Sequence, residues 1–256
     1  MTATEGLPCS DLSELPDDVQ RLVRIMACMA GVVAVALGGS RGTSGAHVGS
    51  DWDLAVYYRG TIDLEPLAPY GVVHPPGSWG RLMNGGAWFR VGDIDVDVIL
   101  RDLDVVLHWT EQARQGMFEL DALLGYIAGI PTYSLAAELA SGRVLAGALP
   151  AIGDMPSALR TSAPARWRFS RDFSLEYARM HAARGNVAGV VGQVAKAAME
   201  EAHARVCARG EWTLNEKRLL SIAGLDAVQD AFRAIPADVA QLDAWIGTVA
   251  TTLSRE

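Results

Sequence analysis

Three short stretches carry the residue types that group transfer needs. Gly38-Gly39-Ser40 closes an apolar run, and Asp51-Trp52-Asp53 opens another after ten intervening residues. A strand presents residues i and i+2 on one face, so Asp51 and Asp53 point the same way. Two carboxylates that close repel each other unless a cation lies between them. Glycine leaves backbone amides open to phosphate oxygens, and Ser40 adds a hydroxyl donor. Together these features read as a magnesium site beside a phosphate cradle. The third stretch, Gly92-Asp93-Ile94-Asp95-Val96-Asp97-Val98-Ile99-Leu100, alternates acid with aliphatic. That period predicts a strand with Asp93, Asp95 and Asp97 on one face. Beside the Asp51/Asp53 strand, one of them supplies the third carboxylate of a two-metal site.

In order and spacing, Gly39-Ser40, Asp51, Asp53 and Asp97 resemble the nucleotidyltransferase superfamily that includes DNA polymerase β and the antibiotic nucleotidyltransferases. The motif block covers about residues 32–104. Asp97 is preferred as the third acid because the run Val98 to Asp104 follows it as in such family members; Asp95 is the alternative. The resemblance implies Asp51, Asp53 and Asp97 as catalytic metal ligands for two Mg2+ ions, with ATP as substrate. It implies transfer of AMP to a hydroxyl of a small molecule, an aminoglycoside or lincosamide, with release of pyrophosphate. Gly39 and Ser40 then hold the triphosphate, Arg41 meets the γ-phosphate, and Lys217 reaches phosphate from the second domain. The general base is open between Asp97 and a glutamate, with Glu119, Glu200 and Glu201 as candidates. His47 reads as a polar loop residue; Trp79, Trp88, Trp167 and Trp212 are candidates to stack on a base or substrate ring, with core packing the preferred reading.

Two other readings stand beside this one. A toxin-like enzyme that modifies tRNA or a protein would use the basic cluster Arg160, Arg166, Arg168, Arg171, Arg179 and Arg184. A non-catalytic regulatory module would keep the fold without turnover, and the acids at all three positions count against it. Acceptor, nucleotide and oligomeric state, monomer or homodimer, are not legible.

The elements that must position these residues follow from pattern. Periodicity predicts a helix over 19–30, strands over Val32–Leu37 and Trp52–Tyr58, and a Gly/Pro-rich loop over 60–86 with an edge strand at Val72-Val73. Strands over 87–91 and 94–100 come next, then helices over 104–114, 119–128 and 133–140. The stretch 148–164, with three prolines, reads as a linker. Helices over 167–183, 187–209, 215–223 and 239–253 complete the chain. The expected fold class is α/β (α+β): a nucleotidyltransferase-fold domain with a mixed sheet over 1–150, then an all-helical substrate-binding bundle over 151–256. The helical segment Gly210-Glu211-Trp212-Thr213-Leu214-Asn215-Glu216-Lys217-Arg218 also resembles one in uncharacterised actinobacterial members.

Composition sets outer bounds. With 256 residues, half of them hydrophobic, the chain can bury a large core. A net charge of −8 speaks against a generic nucleic-acid binder and suits a polycationic acceptor. Lys196 and Lys217 are the two lysines. Three scattered cysteines give neither a zinc spacing nor a disulfide framework. No run reaches the roughly 18 apolar residues of a membrane span, and the acidic start lacks a signal-peptide pattern. A soluble cytoplasmic protein with no membrane partner is expected.

Overall fold

The computed structural model describes residues 6–42 and 50–255. His47 lies outside the described residues. In chain order the first elements are α1 (Asp17–Ala27), β1 (Val32–Leu37), α2 (Gly39–Gly42) and β2 (Trp52–Tyr58). They are followed by β3 (Val73–His74), α3 (Gly80–Met83), β4 (Gly85–Val91), β5 (Ile94–Asp102) and α4 (Leu103–Arg114). Next come β6 (Leu120–Asp121), β7 (Ile130–Pro131), α5 (Ser134–Ser141) and β8 (Arg143–Gly147). The last part is helical: α6 (Ser157–Ala182), α7 (Val187–Arg209), α8 (Leu219–Ile222), α9 (Ala227–Arg233) and α10 (Leu242–Ser254). The fold class is therefore α/β with a mixed sheet followed by a long helical region.

The sheet has the order β3-β4-β5-β2-β1-β8. Only β2 and β5 run parallel; the other pairs are antiparallel. Alternation decides its faces. Leu54 and Val56 of β2, Val96 and Val98 of β5, and Val35 and Leu37 of β1 point into one core. The helix α1 closes that core with Val19, Leu22, Val23 and Met26, all buried. Each such side chain contributes roughly 1.5–3 kcal/mol by leaving water. The opposite face therefore receives Asp53, Asp97, Trp88 and Arg101.

Packing divides the chain into two units, Met1–Glu111 with Leu135–Gly153, and Gln112–Ser134 with Asp154–Glu256. In the second, α6 and α7 form a long hairpin whose apolar sides meet Trp245, Ile246 and Val249 of α10. A smaller core gathers Phe118, Tyr133, Trp167 and Cys207. Trp167 Nε1 donates to Tyr133 Oη at 3.0 Å, and its ring stacks on His203 with centroids 4.3 Å apart. Burial holds the His203 imidazole below its ordinary value, with nearby Glu216 pulling the other way.

Several expectations change. The predicted helix over 119–128 is absent: Leu120-Asp121 pairs with Ile130-Pro131, and Glu216 accepts the backbone N–H groups of Ile127 and Ala128 at 2.6 and 2.9 Å. Tertiary partners thus override a local helical pattern. The helix α6 begins at Ser157 and takes Pro164 inside it, so only the first half of the expected linker is one. The predicted helix over 215–223 shrinks to α8, and β8 and α9 arise where none was expected. Gly92, with φ +62, and Asp93 form the turn between β4 and β5, as the strand bounds 87–91 and 94–100 predict, so Asp93 does not share the strand face of Asp95 and Asp97.

Candidate active site

The parallel β2–β5 register sets Asp53 directly opposite Asp97. Cross-strand partners share a face, so both carboxylates project from the side away from α1. On the outer side of β5, Trp88 of β4 is the partner of Asp97. On the outer side of β2, the N–H of Gly38 donates to the Asp53 carbonyl at 2.8 Å. One row across the sheet thus reads Trp88, Asp97, Asp53, Gly38. Asp95 sits further along β5, exposed, and pairs with Arg90 at 3.4 Å. That pairing favours Asp97 as the acid that faces Asp53.

The glycine turn is pressed onto this row. A Cβ on Gly39 would lie 1.7 Å from Asp53 Oδ2, and Gly39 has φ +57. Only glycine combines that backbone with that approach. Gly42 N–H donates to Gly38 O at 2.8 Å and closes the single turn α2, which carries Ser40. The turn therefore lies against Asp53. The Gly38 amide, however, is used in strand pairing.

Arg41 bonds the Ser50 carbonyl through Nε (2.9 Å) and Nη2 (2.7 Å). Its guanidinium lies 4.3 Å from the Trp52 ring centroid. Arg41 thus grips the residues on both sides of Asp51, which is exposed just before β2. Among the described residues, no group of three or more His, Cys, Asp or Glu side chains is gathered closely enough to hold a metal ion. Asp53 and Asp97 are neighbours, whereas Asp51 does not close a ready triad with them.

Other residues singled out from sequence fall in the second unit. Lys217 is exposed, and its backbone N–H donates to Asn215 Oδ1 at 3.0 Å. Glu200 is buried, accepts from Ser174 Oγ at 2.8 Å and lies 3.8 Å from Lys196. Glu201 is buried between Arg171 (2.6 Å) and Arg205 (3.1 Å). Both glutamates are therefore structural partners inside α7 rather than exposed bases. Glu119, the remaining candidate, belongs to the segment that precedes β6.

Two features escaped the sequence reading. Arg101 and Glu138 form a two-pronged ion pair at 2.6 and 2.7 Å, with Arg101 only 2% exposed. Arg101 also donates to the carbonyls of Leu82 and Met83. Burial raises the hydroxyl pKa of its cross-strand neighbour Tyr57, with Glu138 adding to the effect. This pair anchors α5 over the far end of the acidic face. Its signal was an arginine at an otherwise apolar strand position. The second is the exposure of Trp88: at 61% it is not in a core, so core packing, the preferred reading, gives way to the stacking alternative.

No family model matches the chain, and no curated protein does. Among solved structures, the chain is similar to a nucleotidyltransferase-like protein from Exiguobacterium sibiricum. The TM-score is 0.44 and the identity 13%, over 88% of this chain and 68% of that one.

Proposed function

We propose that the chain is a metal-dependent nucleotidyltransferase. It moves AMP from ATP to a hydroxyl of a small molecule, of the aminoglycoside or lincosamide kind, and releases pyrophosphate. The observation that carries this reading is the register of Asp53 with Asp97 beside a glycine turn whose Cα touches the Asp53 carboxylate. The donors are all hard carboxylate oxygens, the set that suits Mg2+, and the glycine turn lies against one of them. Bound divalent ions would neutralise charge on the α-phosphate and on the attacking and leaving oxygens.

The chain's own residues divide the remaining work. Gly39 and Ser40 receive the triphosphate, and Asp51, Asp53 and Asp97 are the ligand set. Arg41 fixes Ser50 and Trp52 and so positions Asp51 between them. Asp97 lies on the side of Asp53 away from the glycine turn, which suits it to take the acceptor's proton. The acceptor oxygen bonds to the α-phosphorus, the bond to the bridging oxygen breaks, and pyrophosphate leaves with the electron pair. Pyrophosphate release from Mg-ATP, tested with aminoglycosides, lincosamides and bulk tRNA, decides the matter. Release that needs one small molecule and disappears in the Asp51→Ala/Asp53→Ala variant supports the proposal. Silence with every acceptor counts against it.

One observation favours a second reading. The helical unit holds an open cleft of about 700 Å³ lined by Arg168, Arg171, Arg205, Arg209 and Arg255 around Glu201. Arg171 is also paired with Asp172 and Arg209 with Glu211, and the arginines still outnumber the carboxylates that meet them, which suits an anionic macromolecule such as tRNA. Release with tRNA alone would select that reading.

A further inference from the structure

Trp88 has no core to enter, yet it is held in a defined place. It leaves the sheet on the acidic face, opposite Asp97, and is 61% exposed. Trp79 lies against it, with ring centroids 4.5 Å apart and planes 30° apart. His74 meets both rings, at 5.2 Å from Trp79 and edge-on at 5.5 Å from Trp88. Trp79 reaches this position because β4 has glycine beneath it: a Cβ on Gly86 would lie 2.6 Å from the Trp79 ring. A large exposed indole braced by two more rings is a preformed stacking surface.

Its location assigns its use. In-line displacement needs the leaving pyrophosphate and the attacking hydroxyl on opposite sides of the phosphorus. The row across the sheet runs Gly38, Asp53, Asp97, Trp88, so the glycine turn and the indole flank the acid pair from opposite sides. Neighbouring strands lie about 4.8 Å apart, which puts the edge of a ring resting on Trp88 near Asp97. We infer that Trp88, braced by Trp79 and His74, seats the acceptor. That acceptor bears its reactive hydroxyl on a ring with one flat apolar face, a saccharide ring. A pyranose offers C–H groups to the indole and hydroxyls at its rim to the carboxylate. This inference rests on the nucleotidyl-transfer reading above.

The test separates the two claims by calorimetry. One arm measures the non-hydrolysable ATP analogue AMPCPP with Mg2+; the other measures kanamycin, lincomycin and methyl glucopyranoside. The proteins are the wild type, Trp88→Ala, Trp88→Phe and Asp51→Ala/Asp53→Ala. The expected result is that Trp88→Ala weakens at least one saccharide by about tenfold or more, the scale of one lost aromatic stack. Trp88→Phe restores most of that affinity, and AMPCPP binding stays within about twofold of wild type in both. Saccharide affinity unchanged by Trp88→Ala, or no saccharide binding by the wild type, would overturn the inference. So would loss of AMPCPP in Trp88→Ala, which would make the indole a shelf for the nucleobase. Failure of the wild type to bind AMPCPP would strike the nucleotidyl-transfer reading instead, whatever the saccharides do.

Discussion

At the residue scale, Gly39 is the position where backbone and chemistry are least separable. Any side chain there meets both a positive φ and the Asp53 carboxylate. Gly39→Ala should therefore displace Asp53 and lower turnover at least about 100-fold, the usual effect of a misplaced reactive group. Far-ultraviolet circular dichroism should show the fold retained. Activity within a few-fold of wild type would mean that the turn does not set the acid. Spacing puts Gly39 and Ser40 just after β1 and Asp51 and Asp53 at the start of β2, and alternation puts Asp95 and Asp97 on one face of β5; the family resemblance preferred Asp97. The place of Trp88 was not legible in this way. Alternation announces that Trp88 and Arg90 share a face, but pairing with β5 decides that this is the acidic face and not the core. The bond of Arg41 to the Ser50 carbonyl was not legible, because these two residues meet only once the chain folds back.

At the scale of elements, β1, β2 and β5 were readable from continuous apolar or alternating runs, since burial of at least one whole face leaves a strong period. The segment 119–131 was not readable, because its conformation depends on a carboxylate far along the chain. Glu216 accepts from Ile127 and Ala128; burial pushes its carboxyl up, but neighbouring His203 together with these two amides holds it below the usual range. Glu216→Ala would leave two backbone donors without that partner, at about 1–3 kcal/mol each. Hydrogen exchange should accelerate at Ile127 and Ala128 in this variant, and unchanged protection would contradict the assignment. The Arg101–Glu138 pair gives a second expectation. Glu138→Ala strands a buried guanidinium and should cost about 3–5 kcal/mol in a denaturant titration, whereas an exposed pair would cost under about 1 kcal/mol.

At the scale of the whole molecule, the chain combines a net charge of −8 with a local arginine cleft in the helical unit. Composition reveals the first; the second requires α6 and α7 to bring Arg168, Arg171, Arg205 and Arg209 around Glu201. No helix among the described residues is long and apolar enough to cross a membrane. Stability should also depend on pH through His203. Its folded value is depressed by burial, so below the ordinary 6.5 the unfolded chain takes up a proton that the folded one resists. Its contribution is full above that pH and declines as pH falls below it. Melting temperature should drop between pH 7.5 and 5.5, and His203→Phe, which keeps a ring against Trp167, should flatten that slope. An identical slope in both proteins would exclude His203 as the cause. The central claim is that Asp53 and Asp97 form the divalent-cation site of a nucleotidyl transfer, and it can be tested without knowing the acceptor. The measurement is Mn2+ binding by electron paramagnetic resonance, in the presence of AMPCPP, for the wild type, Asp53→Asn and Asp97→Asn. Protein-bound Mn2+ in the wild type that is lost in each variant is the predicted result; equal Mn2+ binding in all three, or none in the wild type, would contradict the account.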